Sequence, residues 1–163
     1  MMAVARALDD AGIASLRFNF RLAGGQQGDS SQDETDIQSV ESALNLVKRW
    51  PGLDRKRTAL VGYSFGAQVM LRGLLEYKQA RSLVFISPPL SSFAQSAVDK
   101  DKRPKLFLAG GKDRLAKADE LQKLVAGFPA FSAAEVIPDA DHSWRGHEAT
   151  AAQRVAGFLL QTL

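Results

Sequence analysis

Short runs of β-forming residues alternate along this chain with longer stretches in which apolar residues recur every three or four positions. The runs are Ser15–Phe20 (SLRFNF), Thr58–Tyr63 (TALVGY), Ser82–Ser87 (SLVFIS), Lys105–Ala109 (KLFLA) and Ala133–Ile137 (AAEVI). The second, third and fourth are nearly continuous in apolar residues, as strands covered on both faces are, and so belong at the centre of a sheet. The first alternates Leu16, Phe18 and Phe20 with Ser15, Arg17 and Asn19, which suits an edge strand with one less-buried face.

Helical periodicity fills the intervals. After Asp33, the residues Ile37, Val40, Leu44 and Val47 form one stripe; acidic residues occupy its first turn, Lys48 and Arg49 its last, and Pro51-Gly52 stops it. Similar stripes run through Val69, Met70 and Leu74, through Leu121, Leu124, Val125 and Phe128, and through Val155, Phe158 and Leu159. This alternation predicts βαβ units, and with them an α/β fold: a three-layer sandwich around a mostly parallel sheet of about five strands.

Composition bounds the picture without naming a function. The 163 residues make one domain, 1–163, with 45% hydrophobic and 24% charged residues. No apolar run approaches the roughly 20 residues that span a bilayer, so no membrane partner is expected. Met1 to Leu8 reads as a helix with Arg6 inside it and lacks the continuous apolar run of a secretory signal, which makes a cytoplasmic location the expectation. The absence of cysteine excludes disulfides, thiolate metal sites and a cysteine nucleophile. The net charge is +3, but the basic residues fall in short groups, Arg55 to Arg57 and Lys100 to Lys105, that read as solvated loop ends, and no nucleic-acid partner is expected.

The chemistry lies in Gly62-Tyr63-Ser64-Phe65-Gly66, a G-x-S-x-G match where a buried strand gives way to a helix. A serine hydroxyl becomes a useful nucleophile when a tight strand-to-helix turn holds it clear of the sheet beside a base. Both flanking glycines are expected to leave room for that turn, while the helix start aims free N–H groups at developing negative charge. The chain has two histidines. His142 follows the last strand, at the sheet end where doubly wound folds place their sites, whereas His147 enters the final helix; His142 is the expected base. Asp113, in Gly110-Gly111-Lys112-Asp113-Arg114, follows the fourth strand and is the expected third member. Asp139 and Asp141 compete for that role, but their closeness to His142 in sequence suits turn formation better. The order Ser64, Asp113, His142 is the one associated with α/β-hydrolases.

On these segments, together with Leu8 to Arg21, Ser87-Pro88-Pro89 and DADHSW, the chain resembles bacterial α/β-hydrolases of the dienelactone-hydrolase-like group over nearly its whole length. The resemblance implies a serine triad of Ser64, Asp113 and His142, esterase-like activity, and neither metal nor organic cofactor. The chain departs from the group in three places. Arg21-Leu22-Ala23-Gly24-Gly25-Gln26-Gln27-Gly28 stands where an R-G-x-G-x-S-x-G segment is usual, and no cysteine nucleophile is present. The chain also reads as N-terminally shortened, without the strands and the H-G-type or H-P-type loop that normally precede the first helix. Only Pro88 to Pro104 separate the third and fourth strands, so a minimal fold without a cap is expected.

The expected function is acyl-enzyme hydrolysis of small carboxylic esters. The Phe65 N–H would serve as one oxyanion donor and an N–H near Arg21 and Leu22 as the second. Thioester hydrolysis or perhydrolysis by the same triad, or a non-catalytic binding remnant, are the alternatives. Because the strand that would lie between them is absent from the sequence, Ser15–Phe20 is expected to pair in parallel with Thr58–Tyr63 through a right-handed crossover. Its open outer edge would then be covered by a second copy, as a homodimer.

Overall fold

The computed structural model describes residues 1–20, 30–129 and 131–163, with the side chains of 30–33 outside the description. In chain order the elements are α1 (Met2–Asp10), α2 (Ser30–Arg49), β1 (Ala59–Tyr63), α3 (Phe65–Arg72), β2 (Ser82–Ile86), β3 (Lys105–Gly110), α4 (Ala118–Val125), β4 (Ser132–Ile137) and α5 (Glu148–Thr162). A short 3-10 turn, Leu90–Phe93, is the only regular element between β2 and β3.

The strands form one parallel sheet in the order β1-β2-β3-β4. Register places Gly62 beside Phe85 and Phe85 beside Phe107. Every residue of β2 and β3 is buried, which is why these runs needed no polar face. Their side chains alternate between two apolar layers. Leu83, Phe85, Phe107 and Ala109 pack with α2, α3 and α4; Val84, Ile86, Leu106 and Leu108 pack with α1 and α5. Phe85 and Phe107 stack with ring centroids 4.9 Å apart, locking the register of the two central strands. The result is the expected three-layer α/β sandwich, with the C-terminal strand ends converging on one edge.

Among the described residues the fifth strand is not formed: Ser15–Phe20 has no strand pairing, and β1, expected at the centre, pairs with β2 alone and is a half-buried edge strand. The chain is held elsewhere on either side: just before the segment the Ile13 N–H donates to the Leu8 carbonyl at 2.8 Å, and at its end the Phe20 ring meets Phe65 edge-on at 5.4 Å. Anchored at those points, it lies clear of β1, and a cavity of about 550 Å³ lined by residues of both segments separates them. The expected direct pairing with Thr58–Tyr63 is therefore overturned. The strand edge on which the homodimer expectation rests is missing with it, while Leu16 and Phe18 stay 45% and 42% exposed.

The group Lys100 to Lys105 also departs from the expected solvated loop end. Lys105 is fully buried, and its ammonium donates to the carbonyls of Asp101 and Arg103. Arg103 donates to the carbonyls of Leu74, Tyr77 and Ala80, closing the connection between α3 and β2. Burial pushes the Lys105 pKa down, and the Asp101 carboxylate works against that shift. A pattern of alternating charge in sequence concealed a structural network.

Candidate active site

Ser64 occupies the single residue between β1 and α3, at φ 49° and ψ −108°. Side-chain-bearing residues rarely adopt positive φ, and such strain persists only where the surroundings impose it. Here the Ser64 N–H donates to the Ile86 carbonyl at 2.9 Å, tying the turn to the end of β2. Gly62 makes the turn possible: a Cβ there would lie 2.6 Å from Met70 Sδ and 2.7 Å from the Ala67 nitrogen. At Gly66 the only such neighbour among the described residues is Phe20 at 3.8 Å, an ordinary contact, so the steric demand expected at both glycines falls on Gly62. Gly62→Ala is accordingly expected to destabilise the fold by about 1–3 kcal/mol, the range for overpacking, whereas Gly66→Ala should change the melting temperature little; differential scanning calorimetry of both variants checks this.

Two further loops deliver the partners. The Gly111 N–H donates to the Ile137 carbonyl at 2.8 Å and the Lys112 N–H to the Ala140 carbonyl at 2.9 Å, drawing the loop after β3 against the loop after β4. Side chains at Gly110 or Gly111 would collide with the carbonyls of Ala140 or Pro138, so the glycines permit this approach. His142 is fixed from both directions. The Tyr63 hydroxyl donates to its carbonyl at 2.7 Å, and Asp141 Oδ1 accepts from the N–H groups of Ser143 and Trp144 at 2.9 and 3.1 Å, shaping the turn that follows.

The three expected residues meet. Ser64 Oγ lies 2.9 Å from His142 Nε2, and His142 Nδ1 lies 2.9 Å from Asp113 Oδ2 and 3.1 Å from Oδ1. Both ring nitrogens are thus engaged, leaving none for the competing carboxylates. Asp139 instead pairs with Lys112 at 2.9 Å on the surface, and Asp141 serves the turn. His147 directly precedes α5, its N–H donating to the Trp144 carbonyl at 3.0 Å.

The Asp113 side chain is wholly shielded from solvent. Burial alone would raise its pKa, but the Ala116 amide, the Ser87 hydroxyl, the Leu115 amide and His142 together hold it below the ordinary carboxyl value. The buried charge is therefore retained, ready to orient an imidazole and to stabilise an imidazolium. Burial, followed by the charges of Asp113 and Asp141, pushes the Tyr63 phenol up, which keeps it a neutral donor.

At the other side of Ser64, the α3 backbone ladder begins with Gln68 N–H to the Ser64 carbonyl at 3.0 Å, so the Phe65 N–H stands outside it at the helix N-terminus. The other expected oxyanion residues, Arg21 and Leu22, lie outside the described residues. Phe65 meets Phe20, and Phe20 meets Phe18, edge-on at 5.4 Å each, forming an apolar strip beside the nucleophile position. The large cavity beside β1 is not lined by Ser64, Asp113 or His142. Among the described residues, no cluster of three or more His, Asp or Glu side chains forms a metal-binding arrangement.

Sequence reasoning missed two supporting residues, Tyr63 and Ser87. Tyr63 was visible inside the motif, but nothing in its identity told that its hydroxyl would reach His142 across 79 positions of sequence. The Ser87-Pro88-Pro89 segment marked a strand end, without revealing that the Ser87 hydroxyl would accept the Trp144 indole N–H at 3.0 Å.

Comparison with known proteins agrees with this architecture. Residues 1–157 match the family described as an alpha/beta hydrolase domain. An uncharacterized protein of Rickettsia prowazekii (strain Madrid E) is 26% identical over 121 residues, 72% of this chain and 50% of that protein, so the chain spans half the length of the curated relative it matches. An alpha-beta serine hydrolase homologue from Coxiella burnetii superposes with a TM-score of 0.78 at 23% identity, over 96% of this chain and 74% of the other. XC6422 from Xanthomonas campestris, a serine hydrolase without lid, gives 0.80 at 22% identity, over 99% and 72%. The esterase Pf2001 of Pyrococcus furiosus gives 0.77 at 23% identity, over 99% and 76%. With its family matched over residues 1–157 and only a short turn between β2 and β3, the chain belongs to the α/β-hydrolase superfamily and is lidless in its described residues.

Proposed function

We propose that the protein is a serine hydrolase cleaving small carboxylic esters through an acyl-enzyme. The observation that carries this reading is the unbroken hydrogen-bonded series from Ser64 Oγ through the His142 ring to Asp113, at 2.9 Å for each link. Ser64 Oγ attacks the ester carbonyl carbon as its proton passes to His142 Nε2, and the Phe65 N–H stabilises the oxyanion. Collapse of the tetrahedral species expels the alcohol, which takes the proton from Nε2. A water then gives a proton to Nε2 as it attacks the acyl carbon, and the acid leaves with Ser64 restored. The apolar strip of Phe18, Phe20 and Phe65 favours acyl groups with an apolar body, while the lack of a cap favours broad selectivity and modest rates.

A fluorophosphonate probe and a panel of p-nitrophenyl esters of increasing acyl length test the reading. Stoichiometric labelling at Ser64, seen by peptide mass spectrometry, and turnover of the shorter esters are expected. A chain that neither labels nor turns over any ester would be a non-catalytic member of its superfamily. Labelling with turnover confined to thioesters would reassign the leaving group.

A further inference from the structure

Tyr63 is the last residue of β1, and Ser64 follows it directly. Successive residues of a strand point to opposite faces. Both of these side chains nevertheless end on His142: the Tyr63 hydroxyl donates to its carbonyl at 2.7 Å, and Ser64 Oγ lies 2.9 Å from its Nε2. The chain leaves the strand at Ser64, whose φ is 49°, and that departure lets both reach one residue. The Tyr63 ring is firmly seated. It packs against the apolar layer of α1 and α5, with its centroid 5.8 Å from that of the His142 ring. The main chain that it holds has little other support. The turn bonds around the base run from the Trp144 N–H to the Asp141 carbonyl and from the Ser143 N–H to Asp141 Oδ1, and they pass His142 by. Among the described residues, the Tyr63 hydroxyl is the one hydrogen-bond partner of the His142 main chain.

The contacts close a circuit: from the Tyr63 hydroxyl to the His142 main chain, through the imidazole to Ser64 Oγ, and back to Tyr63 across one peptide bond. From it we infer that Tyr63 is a positioning residue, fixing the backbone from which the imidazole hangs so that Nε2 meets Ser64 Oγ. The role rests on the esterase reading above. It divides the work of holding the base between two side chains. Asp113 orients the ring through Nδ1, whereas Tyr63 sets where the ring stands relative to the nucleophile. Because the tyrosine and the serine are neighbours in sequence, a shift of the β1 end carries the nucleophile and the anchor of its base together. The first variable position of the G-x-S-x-G motif thereby acquires a task of its own.

The test is Tyr63→Phe, which keeps the ring and its packing and removes only the hydroxyl. On p-nitrophenyl acetate, kcat is expected to fall about five- to tenfold, the scale of one hydrogen bond. KM should stay nearly unchanged, because the bond places the proton acceptor and not the ester. Labelling of Ser64 by a fluorophosphonate should slow by a similar factor. A bond that merely stabilises the fold predicts a lower melting temperature, with kcat and the labelling rate unchanged well below it; that result overturns the inference, as does a loss confined to KM. A readout without turnover comes from proton NMR of the imidazole C–H groups, which the chain's two histidines make simple to assign. In Tyr63→Phe the His142 signals should broaden or split while those of His147 stay as in the wild type. Unchanged His142 signals, or equal changes at both histidines, sink the positioning role whatever the activity. A wild type that neither labels nor turns over sinks the esterase reading by itself.

Discussion

Replacing Ser64 by alanine is expected to bring ester hydrolysis down to the spontaneous rate, a loss of at least about a thousandfold, while the melting temperature stays near that of the wild type. His142→Ala should do the same. The two effects should not add, because serine and base act as one unit and either loss disables the transfer. Both side chains are only part-buried, so removing their outer atoms opens no core cavity. The double variant is the informative construction. If Ser64→Ala, His142→Ala is as inactive as each single variant, the unit is intact; if it is far worse, each single variant retained a separate route. A dead His147→Ala beside an active His142→Ala would reassign the base.

Asp113→Asn should cost roughly 10² to 10⁴ in kcat, the range known for orienting carboxylates in serine triads, with the protein still folded. The geometry explains why an isosteric change would be so severe. Asp113 Oδ1 accepts the Leu115 and Ala116 amides, so the oxygen of an asparagine is drawn to that place and its NH₂ to the place of Oδ2, facing His142 Nδ1. An NH₂ there donates to Nδ1, which moves the imidazole proton to Nε2, and a protonated Nε2 has no lone pair for the Ser64 proton. Asp139→Asn, at a surface ion pair, should leave kcat within about twofold. A near-normal Asp113→Asn beside an inactive Asp141→Asn would refute the assignment. Stability adds an independent check. The folded-state pKa of Asp113 lies below the ordinary 3.8, so its stabilising contribution is complete above that value and fades as pH falls through the folded pKa. Asp113→Asn should therefore flatten the acid limb of the stability curve below about pH 4.

Much of this was legible in sequence because the physics involved was local. The runs SLVFIS and KLFLA are nearly continuous in apolar residues, and both are central strands buried throughout, whereas TALVGY, which reads the same way, is a half-buried strand at the edge of the described sheet. Each residue of the proposed triad follows a strand C-terminus, where a parallel sheet gathers its loops. The N-terminal run was misread for a complementary reason. Alternation in SLRFNF says which side chains would share a face, but a strand exists only when a neighbour accepts its ladder, and here Ile13 is held by nearby Leu8 while Phe20 meets Phe65, a residue far away in sequence. Lys105 was misread because its carbonyl acceptors come from backbone, which sequence does not display. The positive φ of Ser87 was invisible too, since serine carries no mark of it as glycine would.

The indole bound to Ser87 also gives the protein an optical property. The chain has two tryptophans, Trp50 just beyond α2 at 53% exposure and Trp144 at 5%, two residues beyond His142. One emits from water and the other from a dry, hydrogen-bonded setting, so the native spectrum is a sum of a red and a blue component. In a Trp50→Phe variant the surviving emission would come from within two residues of His142. Acylation of Ser64, displacement of the His142 loop and unfolding would each then be followed in real time by the colour of a single intrinsic chromophore, without a dye.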